Sequence, residues 1–152
     1  MLSVGVRRKK HLTLKVPSGP GKVKVGFPAG KVSGDIVMRA IWNHYGTRGG
    51  ASGGGWGGPI PPRPFLLNAM REHRSKYLAA MKAAAPQIIR GSMSLQAVTA
   101  RLGAMAQGDV QQEITNLKTP PNSPVTIRLK GSSNPLIDTG EMRSKVTWKV
   151  SP

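Results

Sequence analysis

The spacing of apolar residues changes several times along this chain, and each change marks an element. Leu12, Leu14 and Val16 alternate with Thr13 and Lys15, the period of a half-buried strand. After the turn-forming residues Ser18-Gly19-Pro20-Gly21, Val23 and Val25 alternate with Lys22 and Lys24 up to Phe27. The two segments read as a β-hairpin. From Asp35 to Tyr45 the period lengthens, with Ile36, Val37, Ala40, Ile41 and His44 near helical spacing. This predicts a short helix with Asp35 as N-cap, ending at Gly46.

Residues 46–59 hold too little side chain to bury and read as a flexible loop. They lack the Gly-Lys-Ser/Thr ending of a phosphate-binding loop. Ile60-Pro61-Pro62-Arg63-Pro64 must run extended, because each proline removes a donor and restricts the residue before it. Pro64 suits the first position of a helix running to Ala85, where Pro86 interrupts. Its expected inner stripe is Phe65, Leu66, Ala69, Met70, His73, Tyr77 and Met81. A second long helix is predicted from Ser94 to Asn116. Its apolar residues Leu95, Val98, Leu102, Met105, Ala106, Val110 and Ile114, with Leu117 beyond, step by threes and fours. Gly103 and Gly108 mark close helix packing or a local bend.

Residues 123–131 carry two conflicting signals. Ser123, Pro124 and Gly131 spell a short capped helix, whereas Val125 to Leu129 have strand propensity; the cap residues favour the helix. Asn134 to Ile137 reads as an extended anchor, and Asp138 to Glu141 as a turn with capping-box spacing. Val146, Trp148 and Val150 alternate as a terminal strand that could complete the sheet begun at Lys22. The pattern predicts an α+β fold: a small antiparallel sheet packed against two longer helices, with extended loops and arms. Residues 1–152 are expected to form one domain, with a basic N-terminal arm over 1–11 and the flexible loop over 46–59.

Charge changes this picture most. The chain holds 23 Lys and Arg against 6 Asp and Glu, a formal charge of +17. Such an excess repels itself in the folded chain and attracts polyanions or acidic protein surfaces. There is no cysteine, which excludes disulfides, thiolate zinc sites and cysteine nucleophiles. The N-terminus has no signal-peptide pattern, and no stretch approaches the ~20 apolar residues that span a bilayer. Synthesis in the cytoplasm and no contact with membrane are expected.

Candidate chemistry is sparse. His11, His44 and His73 are too dispersed to form a metal pair. Asp138 and Glu141 suit capping at least as well as acid and base work. Ser92 and Ser94 lie in Gly91-Ser92-Met93-Ser94, which lacks the second glycine of a nucleophile elbow. No catalytic residue, metal or cofactor is expected. Arg71, Arg74 and Lys82 can share one face of the first long helix, and such a face could line a DNA channel or meet an acidic partner.

Four ordered motifs add a family resemblance. They are Ile41-Trp42-Asn43-His44-Tyr45-Gly46-Thr47; Pro62-Arg63-Pro64-Phe65; Gly108 to Gln112 with Ile114; and a closing motif. The last comprises Pro120, Pro121, Pro124, Thr126, Ile127, Lys130, Gly131 and Pro135-Leu136-Ile137-Asp138-Thr139-Gly140. In order and spacing they resemble the tail-completion and virion-morphogenesis proteins of long-tailed bacteriophages. The chain departs from that pattern at His44, where the family carries an acidic residue, and in the insertion from Gly49 to Gly58.

The resemblance implies a structural virion subunit, in a sixfold ring at the head-tail junction around the DNA channel. Its partners would be further copies, neck, connector and tail-tube proteins, and transiting DNA touched without regard to sequence. Arg63, Pro64, Phe65, Pro135, Leu136, Asp138, Thr139 and Gly140 become the structural or interface candidates. The sheet and extended loops would form ring contacts. Arg63 either anchors the start of the first long helix through hydrogen bonds or lies exposed in a proline-rich turn. A free-standing basic nucleic-acid-binding protein is the competing class, and a small enzyme ranks behind both.

Overall fold

The two strands that alternate by sequence find each other across almost the whole chain. Strand β1 (Lys22–Gly26) and strand β2 (Thr147–Ser151) pair antiparallel, with Val25 opposite Trp148 and Val23 opposite Val150. The structure, a computed structural model, describes residues 18–28, 30–48 and 59–151. The hairpin partner expected at Leu12 to Val16 lies outside them, as do the whole 1–11 arm and most of the 46–59 loop. Among the described residues six helices complete the architecture: α1 (Gly34–Tyr45), α2 (Phe65–Glu72), α3 (Arg74–Ile89), α4 (Leu95–Asn116), α5 (Pro124–Lys130) and α6 (Glu141–Ser144). This is the α+β class that the spacing predicts.

Helix α4 is the element against which the others pack. It touches both strands and α2, α3 and α6. Ser94 caps it, its Oγ accepting from the Ala97 N–H at 3.1 Å, and Val98, Ala106, Val110 and Ile114 form its buried stripe. Val110 and Ile114 join Ile36 and Ala40 of α1 and Phe65 and Ala69 of α2 in a core completed by Leu117, Leu136, Met142 and Val146. Phe65 is wholly buried, with Phe27 edge-on to its ring at 6.4 Å. Full burial of such a side chain contributes roughly 1.5–3 kcal/mol.

The first long helix departs from its sequence pattern. It breaks at His73, whose φ of −95° and ψ of 10° are not helical, and Pro64 precedes the first helical residue as the cap. The break falls between Arg71 and Arg74, so these two and Lys82 do not share one continuous helix. No residue of α3 is buried, and Met81, expected on the inner stripe, is half exposed. Pro86 does not end α3, which continues to Ile89. On so exposed a helix, water can serve the carbonyl that the proline leaves unbonded.

The C-terminal third resolves the ambiguous signals through caps. Residues 124–130 are helical: Ser123 Oγ accepts from the Thr126 N–H, and Gly131 closes the end in a left-handed conformation. Leu136 is buried as an anchor, but the backbone there is turned rather than extended. Asn134 Oδ1 accepts from the N–H groups of Leu136 and Ile137 at 3.0 and 3.1 Å. This local side-chain bonding competes with extended structure. The capping box at Asp138 and Glu141 is not formed. Gly140 is the cap residue of α6, and Glu141 accepts from Arg39 instead, which also holds Asp35. In α1, too, Asp35 lies in the first turn and Ser33 occupies the cap position.

Gly103 lies directly against Trp148 of the sheet. A Cβ there would lie 2.5 Å from Trp148 Cδ2, whereas Gly108 is exposed with nothing within 4 Å. Close packing thus explains Gly103 and not Gly108. Gly103→Ala should destabilise the protein by about 1–3 kcal/mol, since overpacking outweighs helix propensity. Gly108→Ala should stabilise it by up to about 1 kcal/mol. Urea denaturation of both variants, followed by tryptophan fluorescence, checks the opposite signs.

Candidate functional site around Arg63

The Pro-Pro-Arg-Pro run cannot hydrogen-bond to itself, so its polar groups must be met from elsewhere. Helix α1 meets them first. The Arg63 N–H donates to Asn43 O at 2.7 Å, and the Arg63 carbonyl accepts from the Phe65 N–H at 2.7 Å. Gly46 lets α1 end directly against this run: φ is 77°, and a Cβ would lie 2.7 Å from Ile60 O. Thr47 closes the base of the glycine-rich loop. Its N–H donates to Ile60 O and its Oγ1 accepts from the Ile60 N–H.

The Arg63 side chain is 2% exposed although no carboxylate pairs with it among the described residues. Its Nε donates to Pro120 O at 2.7 Å, and Nη2 to Pro121 O at 3.0 Å and to Asn122 Oδ1 at 3.3 Å. Nη1 donates to Asn43 Oδ1 at 3.3 Å. Burial lowers the Arg63 pKa from its ordinary value, yet a guanidinium keeps its proton at any physiological pH. All but one of its N–H donors are occupied, so Arg63 holds the fold together and has little left for a ligand.

The network continues through two more asparagines. Asn122 Nδ2 and Lys130 Nζ both donate to Asn134 O, at 3.3 and 3.1 Å. Asn134 Nδ2 donates to Thr115 O of α4 at 2.8 Å. Burial lowers the Lys130 pKa, Asp138 opposes that effect, and Arg63 adds to it. One polar chain from Asn43 to Thr115 therefore joins α1, the proline run, α5 and α4. Above it lies an open groove of about 880 Å³, with Ile60, Pro61, Val125, Leu129, Lys130 and Asp138 in its walls. Val125 and Leu129, four residues apart, are 61% and 84% exposed and give the groove an apolar lip.

Of the other residues singled out by sequence, Phe65, Pro135 and Leu136 are buried beneath this network, and Pro64 is half-buried. Asp138 and Thr139 are exposed. Gly140, half-buried, starts α6. Arg71, Arg74 and Lys82 are exposed on α2 and α3, away from the groove's walls. His44, at the position where an acid was expected, lies edge-on to Phe65 at 5.4 Å, and burial lowers its pKa.

Sequence reasoning missed Asn122 and Asn134 as network members, and it missed a second polar knot. Asp109 is 5% exposed and accepts from Lys76 Nζ and Tyr77 Oη, each at 2.7 Å, with His73 Nε2 3.8 Å away. Its signal was an acid beside Val110 on the apolar stripe of α4. Burial alone would raise the Asp109 pKa; the hydrogen bonds from Lys76 and Tyr77 and the charges of His73 and Lys76 outweigh it and hold the carboxyl below its usual range. Burial and Asp109 push the Tyr77 phenol upward, so it remains a neutral donor.

Comparison with protein-family models, curated proteins and solved structures finds no match to this chain. Among the described residues there is no group of three His, Cys, Asp or Glu able to hold a metal, and no helix long and apolar enough to cross a membrane. The network at Arg63 contains no histidine or carboxylate in hydrogen-bond contact with the guanidinium. Its chemistry is that of a clamp.

Arg63→Ala should destabilise the protein by about 3–6 kcal/mol, because two carbonyls lose charged donors worth roughly 1.5–3 kcal/mol each. Arg63→Lys should recover part of the loss without restoring the fork of contacts. Urea denaturation midpoints of the three proteins check the order. For Asp109 the depressed pKa sets the sign. Its stabilising effect is present above the unfolded value of about 3.9 and is lost as pH falls through the lower folded value. Asp109→Asn should cost about 1–3 kcal/mol at neutral pH and weaken the loss of stability on acidification, as measured by denaturation at pH 7 and pH 3.

Proposed function

We propose that this chain is a structural subunit of a phage virion, a tail-completion or neck protein that forms a ring at the head-tail junction around the DNA channel. One observation carries this reading. Three of the stretches that resemble the family, far apart in sequence, converge on the Arg63 clamp: Asn43, Arg63 with Phe65, and Pro120 to Asn134. Residues so used fix loops in place, which is what a subunit needs to present extended segments to its neighbours. The exposed lip at Val125 and Leu129 supplies apolar contact area next to those loops. Further copies, neck, connector and tail-tube proteins are the partners in this reading, and the virion is its location.

A free-standing basic nucleic-acid-binding protein is the second reading. It is favoured by the charge of +17, which pairing inside the chain leaves mostly uncompensated. Light scattering after size exclusion, on nuclease-treated protein at moderate and high salt, separates the two. The virion reading expects a salt-resistant ring, formed alone or on addition of phage tail or neck extract. A persistent monomer whose mass shifts only when DNA or RNA is added would overturn it in favour of the second.

A further inference from the structure

All six acidic side chains lie among the described residues, because the segments outside them contain no Asp or Glu. Asp35 and Glu141 close on Arg39, and Asp109 closes on Lys76. Glu113 is taken by Asn68, whose amide donates to it at 3.0 Å. Positive charge is therefore left over wherever the fold does not place an acid beside it. One such place is set by strand register.

In the β1-β2 ribbon Lys24 stands directly opposite Lys149, and Lys22 stands opposite Ser151. Side chains alternate across a strand, so Lys22, Lys24 and Lys149 share one face with Thr147 and Ser151. All three lysines are exposed. Val23, Val25, Trp148 and Val150 occupy the other face, towards α4. Among the described residues, none of the three lysines pairs with a carboxylate. Like charges directly opposite on an antiparallel pair destabilise the sheet. Serine or threonine would keep the strand and avoid the repulsion.

We propose that this outward ribbon face binds the phosphate backbone of duplex DNA without regard to sequence. Lys22 and Lys24 are two residues apart on one strand, about 7 Å, and Lys149 lies across the ribbon about 5 Å from Lys24. That cluster meets a rod carrying one negative charge per about 1.7 Å of axis. The Thr147 and Ser151 hydroxyls are further donors of the kind used on phosphates. The face lacks the arginine, asparagine or glutamine that reads base edges, and it lacks an aromatic ring on which unpaired bases stack. Lysine is a point charge that holds phosphate without the fixed fork of arginine, which suits a contact made without regard to sequence. The same repulsion makes this face a poor contact for a second copy. The inference rests on strand register and is independent of the ring reading.

The test measures binding of full-length protein to a labelled mixed-sequence duplex by fluorescence anisotropy over a series of salt concentrations. Combined Lys22→Gln, Lys24→Gln and Lys149→Gln should flatten the plot of log affinity against log salt by about 0.9 per lost contact, a total of about 2–3. A control removing the same charge from the helices, Arg71→Gln with Arg74→Gln and Lys82→Gln, should flatten it less. Lys24→Glu should raise the thermal midpoint, because it faces Lys149, and still weaken duplex binding about tenfold or more at low salt. Absence of duplex binding by the unaltered protein, an unchanged slope in the ribbon variant, or equal loss in ribbon and control variants would overturn the proposal. So would binding of poly-glutamate as tight as that of the duplex and dependent on the same lysines, which would make the face a site for an acidic protein.

Discussion

A buried guanidinium with no carboxylate beside it is the constraint on which the arrangement of loops depends. Arg63 carries its charge into a site where only neutral oxygens answer it, so each oxygen must be held in position. The Pro120 and Pro121 carbonyls have no sheet or helix to serve, and Asn43 and Asn122 direct their side chains at the same group. Replacing Arg63 would release two carbonyls and two asparagine side chains at once. Asn134 continues the clamp to α4, so the loops are fixed relative to the central helix and not only to one another.

Asp109 performs the corresponding task for α3. That helix buries none of its residues, and the carboxylate on α4 holds it through Lys76 and Tyr77. The two networks differ in their response to acid. Arg63 bonds to groups that do not titrate, whereas Asp109 must be ionised to keep its partners. The Arg63 contacts are therefore better protected against acid than those of Asp109.

Four of the six acids, Asp35, Asp109, Glu113 and Glu141, are taken up in contacts made by helices, and this leaves most basic residues to face outward. Arg39 joins α1 to α6 through Glu141, and Lys76 joins α3 to α4. A more even charge balance could have neutralised the ribbon face with one acid at either position of the Lys24 and Lys149 pair. Instead, register places like charges together on a surface with an apolar underside, where neither lysine can turn away into the core.

Elements whose signals are local are legible in the amino-acid order alone. Helix α4 was legible from its apolar period and Ser94 cap, α1 from its period and Gly46, and α5 from Ser123, Pro124 and Gly131, which prevailed over the strand propensity of the residues between them. Alternation showed β1 and β2, since a ribbon over a helix needs one apolar face. The tertiary structure decided what depends on a distant partner. The break at His73 goes with Asp109, more than thirty residues away. Glu141 left its local cap for Arg39, and Asn134 turned an expected extended segment. Arg63 was visible as a residue in a proline-rich run, but its burial came from carbonyls that carry no side-chain signature. Backbone acceptors look the same at every position in a sequence, and only folding selects which of them a charged group will meet.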